Sequence, residues 1–75
     1  MPKQHRIRGK IAAIAVAAWN DKHPVGTEVV VRRDLGSSLR TKTSSEAWVL
    51  SGHTAVILVE GIAGCFLLER VKAVA

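Results

Sequence analysis

Apolar residues crowd one stretch of the chain, WVLSGHTAVILVEGIAGCFLLERV from Trp48 to Val71, and two turn signals cut it into strand-length pieces. Ser51-Gly52-His53 separates Trp48-Val49-Leu50 from Ala55-Val56-Ile57-Leu58-Val59, and the segment from Gly61 to Gly64 separates that strand from Cys65-Phe66-Leu67-Leu68. The central piece is apolar at every position, so both of its faces need cover. Upstream, Thr27 to Arg33 reads as a strand, Asp34-Leu35-Gly36-Ser37-Ser38 has turn chemistry, and Leu39 to Ser45 alternates. Arg40, Lys42 and Ser44 fall on one face of that strand and Leu39, Thr41 and Thr43 on the other. A kink or bulge around Ser45-Glu46 lets it continue into Ala47 to Leu50. Leu68-Glu69-Arg70-Val71 reads as a tight turn before a last short strand from Lys72 to Val74.

Ahead of the strands the period changes. Ile7, Ile11, Ile14 and Ala18 recur at helical spacing, and alanines at 12, 13, 15, 17 and 18 supply helix propensity and little bulk. Val16 and Trp19 lie off the isoleucine stripe and widen the apolar face, which predicts packing against the strands or a second subunit. Gly9 and the basic residues near the start place the ordered helix over about residues 10–20, after a basic arm over 1–9. Asn20-Asp21-Lys22-His23-Pro24 ends it.

The pattern predicts a single domain over residues 10–75, mainly β with one N-terminal helix and four or five antiparallel strands over about 26–74. So few residues close most economically as a small, strongly bent barrel. Gly26, Val29, Val31 and Arg32, the turn at Gly36, the long bent strand ending in Trp48 and the Leu68-Glu69-Arg70-Val71 ending resemble a small SH3-like barrel. The ending is also similar to that of the plasmid-borne type B dihydrofolate reductases. Where those carry an active-site Val-Gln-Ile-Tyr, this chain has Glu60, Gly61, Ile62 and Ala63. The resemblance therefore implies a fold and transfers no reductase residue. The chain also resembles small proteins of phages and mobile elements.

Charge sharpens this picture more than composition does. Residues 1–43 hold nine Lys or Arg against Asp21, Glu28 and Asp34, whereas residues 44–75 hold Arg70 and Lys72 against Glu46, Glu60 and Glu69. The whole excess of +5 thus comes from the first part of the chain. A polarised surface of this kind suits an anionic partner such as nucleic acid, a membrane surface or an acidic protein face. A hairpin through Gly36 would set Arg32 and Arg33 beside Arg40 and Lys42, with Thr41, Thr43, Ser44 and Ser45 as hydroxyl donors, the mixture that phosphate contacts use. Lys3, Arg6, Arg8 and Lys10 in the arm would add to it. Trp48 could stack on a base, but a chain with no tyrosine and one phenylalanine lacks an aromatic platform, which favours core roles for Trp48, Trp19 and Phe66.

Other chemistry is sparse. Ser44, Ser45 and Glu46 with His53 are the raw material of a nucleophilic site, yet nothing in the spacing gathers them, and the expectation is that the chain is not an enzyme and needs no cofactor. His5, His23, His53 and Cys65 show no metal-ligand spacing. The single cysteine rules out an intrachain disulfide, which suits a cytoplasmic protein, and its place after Gly64 predicts a small buried residue. The basic start followed by Ile11 to Ala18 resembles a signal peptide, but the apolar run is half alanine and too short to span a bilayer. A chain of 75 residues hides only about 60% of its unfolded surface, so a homo-oligomer is expected. Two functions fit: a nucleic-acid-binding accessory protein of a phage or mobile element, or a protein-interaction module that binds or inhibits a host complex.

Overall fold

The computed structural model describes the backbone of residues 2–33 and 36–74 and the side chains of residues 9–33 and 36–74. One helix, α1 (Pro2–Lys22), precedes six short strands: β1 (Glu28–Arg32), β2 (Ser38–Lys42), β3 (Trp48–Leu50), β4 (Thr54–Ile57), β5 (Phe66–Leu67) and β6 (Val71–Ala73). A 3-10 turn, Leu68–Arg70, joins β5 to β6. The strands form two three-stranded antiparallel sheets, β2-β1-β6 and β3-β4-β5.

The two sheets are linked because β2 and β3 are halves of one bent strand. Thr43 bridges to Val59, and beyond the kink Trp48 pairs with Val56. Five residues thus advance on one strand while three advance on the other, which is a bulge at the Ser45-Glu46 position where the sequence predicts one. The strand path runs β6, β1, β2 with β3, β4, β5. It stays open between β5 and β6, so the closed barrel expected from the sequence is not formed by strand pairing.

A bulge leaves backbone groups without ladder partners, and here side chains supply them. The Asn20 amide donates through Nδ2 to Ala47 O at 3.0 Å and accepts from Ala47 N–H at 2.9 Å through Oδ1. Ser45 Oγ accepts from Leu58 N–H at 3.1 Å and donates to Glu46 O at 2.8 Å. The helix end is therefore stitched to the kink between the sheets.

The core lies between the inner faces of the sheets. Val29, Val31, Ile57, Val59, Leu68 and Val71 are all buried, and Val56 is buried on the opposite face of β4. The central apolar strand is covered on both faces as its pattern demands, with Leu58 half-buried.

Two features of α1 differ from the sequence expectation. The helix begins at Pro2, so residues 2–9 are helical where the sequence predicts an arm. Its inward face carries Ala12, Ala15, Val16 and Trp19, while Ile11 and Ile14 are 61% and 69% exposed. The reason is steric. A Cβ on Gly9 would stand 2.6 Å from Gly52 O in the β3–β4 turn, so the helix approaches that turn with its small side inward. The turn, three residues between the paired Leu50 and Thr54, is made by Ser51 and Gly52 in the left-handed region at φ 54° and 76°.

Candidate nucleic-acid interface

Strand register decides which basic side chains share a surface. In β1 and β2, Glu28 faces Lys42, Val30 faces Arg40 and Arg32 faces Ser38. In β6, Lys72 faces Val30 from the other side. Side chains alternate across a sheet, so Val29 and Val31 point into the core, and Glu28, Val30 and Arg32 point outward with their cross-strand partners. The outer face of β2-β1-β6 thus carries Arg32, Arg40, Lys42 and Lys72 around one carboxylate, Glu28. All five are exposed, and the four cations less the one anion leave an excess of +3.

Glu28 lies within this cluster without neutralising it. Its Oε2 accepts from Arg40 Nε at 3.2 Å, with the two side chains 64% and 53% exposed for Arg40 and Glu28. An ion pair so open to water contributes little to stability and is screened by salt. The bond uses one of the five guanidinium N–H groups.

The predicted site residues divide into three groups. The structure brings Arg32, Arg40 and Lys42 together on one face. Arg33 lies past the end of β1, where its backbone N–H closes the hairpin on Ser37 O at 2.8 Å, and its side chain is exposed. Lys10 is exposed on α1, which packs on β3 and β4 and so belongs to the other sheet. The side chains of Lys3, Arg6 and Arg8 lie outside the described residues, as do Asp34 and Leu35 of the hairpin turn.

The hydroxyl groups are a correction. Thr41 Oγ1 donates to Glu60 O at 2.8 Å, Thr43 is buried with Oγ1 accepting from Gly26 N–H at 3.0 Å, and Ser45 is engaged at the bulge. Three of the four predicted donors therefore hold the fold together, and Ser38 is the hydroxyl that the register sets beside Arg32. Lys72 is the residue that sequence reasoning misses. The alternation of Val71, Lys72 and Ala73 marks a half-exposed strand, but which strand it joins is a non-local fact.

The remaining candidates sort as follows. Trp48 is 37% exposed on the outer side of β3, and Trp19 and Phe66 are half-buried against the core. Trp19 stacks at a tilt on His23 with ring centroids 4.4 Å apart. Cys65 is exposed, contrary to the buried role expected, because it follows Gly64 at the end of a turn where φ is +76°. His53 belongs to the β3–β4 turn and its Nδ1 lies 2.9 Å from Thr54 Oγ1. Among the described residues no three His, Cys, Asp or Glu side chains gather as a metal ion would require, and no helix is long and apolar enough to cross a membrane. Comparison with protein families, curated proteins and solved structures finds no match.

Proposed function

We propose that this chain is a small basic binding module that holds nucleic acid by its phosphates across the outer face of β2-β1-β6. The observation that carries the reading is the register that sets Arg32, Arg40, Lys42 and Lys72 side by side on an exposed surface with Glu28 among them. Such an exposed surface offers charge and hydrogen-bond donors, so it contacts the backbone and reads little sequence. The fold we propose for it is an SH3-like barrel left open at one seam. The bent strand shared by two sheets and the 3-10 turn before the last strand support that reading. Together with the resemblance of the sequence to small phage and mobile-element proteins, this favours an accessory binding protein over an enzyme.

Fluorescent duplex and single-stranded oligonucleotides titrated at two salt concentrations test the proposal. Binding that varies little with sequence is expected, with log affinity falling against log salt at a slope of about −4 to −5 on duplex, as about four to six neutralised phosphates imply. Absence of binding at micromolar protein in low salt overturns it, and leaves the reading in which the basic face meets an acidic protein surface.

A further inference from the structure

We propose that the nucleic acid this chain holds is a single strand, with phosphates on Arg40 and Lys42 and one unpaired base stacked on Trp48, a step that rests on the phosphate-binding reading above. The bent strand that links the two sheets brings these side chains into line. From Ser38 to Leu50 every even-numbered residue is exposed and every odd-numbered residue is buried or half-buried. The bulge leaves this alternation intact. Five residues advance from Thr43 to Trp48 against three from Val59 to Val56, and an excess of two keeps side chains of period two in phase. Thr43 and Ala47, one on each side of the kink, are accordingly 2% and 5% exposed. Arg40, Lys42, Ser44, Glu46 and Trp48 therefore form one outward stripe that runs from the basic sheet onto the other.

The chemistry of the stripe changes along its length. Arg40 and Lys42 are cations suited to phosphates, Ser44 is neutral, and Glu46 is a carboxylate that repels them. Beyond Glu46 the stripe holds no cation and offers an indole followed by Leu50, so an uncharged, flat group fits there and a phosphate does not. Trp19 and Phe66 pack against the core, whereas Trp48 stands outside that cluster and is 37% exposed.

Cations at one end and an aromatic ring at the other select a single strand over a duplex. Paired bases are stacked on one another and show only their edges in the grooves, so a duplex meets the cations but keeps its base faces from the indole. In a single strand each base has a face to offer. Six residues separate Lys42 from Trp48, at most about 20 Å of extended chain and less across the kink, a span that a few nucleotides cover. Stacking on an aromatic side chain accepts any base, in keeping with the weak sequence dependence proposed for the phosphate contacts.

An oligothymidylate of about 12 nucleotides and an abasic strand of the same length, which keeps the phosphates and lacks the bases, test this on the unmodified chain. At one salt concentration the oligothymidylate should bind at least about fivefold more tightly, the lower end of what one stacked base contributes. Trp48→Leu, which keeps an apolar side chain opposite Val56, should bring the two affinities together and leave the abasic strand's affinity and salt slope unchanged. Fluorescence gives a reading that needs no variant at position 48. In Trp19→Phe, where Trp48 is the remaining indole, emission should be quenched by the oligothymidylate and unchanged by the abasic strand. Equal affinities of the unmodified chain for the two strands, a ratio that survives Trp48→Leu, emission unmoved by the oligothymidylate, or binding to duplex alone would overturn the proposal while phosphate binding stood. Binding to neither strand and to no duplex would overturn the phosphate-binding reading and this proposal with it.

Discussion

The two sheets solve the same problem differently. In β2-β1-β6 the alternation is strict: Val29, Val31 and Val71 face the core, and the outer positions other than half-buried Val30 are charged or polar, so the sheet needs nothing on its far side. In β3-β4-β5 the outer positions include Trp48 and Leu50, 37% and 40% exposed, and the helix laid on this sheet has apolar residues on both of its sides. One sheet is complete toward water and presents charge. The other needs a helix, a side-chain patch at a bulge and close backbone contact at a turn. The difference separates the parts of the molecule that hold the fold from the part free to bind.

Variants at four places sharpen that contrast, from the largest expected effect to the smallest. Ile57→Ala removes a fully buried side chain at the meeting of β4 with the core and should cost about 2–5 kcal/mol. That is a large share of the stability of a domain this small, so its thermal melt should collapse. Asn20→Ala strips both partners from Ala47, itself 5% exposed, and should cost about 1–3 kcal/mol. Asn20→Asp should recover part of that loss, because a carboxylate still accepts from Ala47 N–H; equal melts for the two variants would contradict the paired geometry. Gly9→Ala improves helix propensity by up to about 1 kcal/mol, yet the contact with Gly52 O is backbone against Cβ and should make the net effect destabilising by about 1–2 kcal/mol. A denaturant midpoint that rises would show that α1 does not seat against the β3–β4 turn. Arg40→Ala with Lys42→Ala, on the exposed sheet face, should change stability by less than about 0.5 kcal/mol. The same double variant should weaken oligonucleotide binding for all sequences alike and flatten the salt slope by about two units.

The contrast also marks what could be read in the chain. Local chemistry was legible: the alternation of Arg40 and Lys42 against Thr41 and Thr43, the hairpin turn at Ser51-Gly52 and the kink at Ser45-Glu46 all follow from neighbouring residues. What escaped depended on distant partners. Periodicity finds an apolar stripe through Ile11 and Ile14, but it does not say that a neighbouring backbone at Gly52 leaves no room for a side chain at position 9. The hydroxyl groups of Thr41 and Thr43 look like surface donors until Glu60 O and Gly26 N–H arrive from other segments. Lys72 joins the basic face only because β6 pairs with β1, a contact across most of the chain. The start of α1 escaped for another reason: Gly9 and an unfavourable basic first turn are weak local signals, and the helix nevertheless begins at Pro2.

Salt-dependent duplex binding by Lys72→Ala set against Lys10→Ala tests the central claim most directly, because each removes one exposed cation and only Lys72 belongs to the β2-β1-β6 face. We predict that Lys72→Ala flattens the log–log salt slope by about one unit and that Lys10→Ala leaves it unchanged. Equal slopes for both variants, or a larger change for Lys10→Ala, would contradict the assignment of phosphate binding to that face.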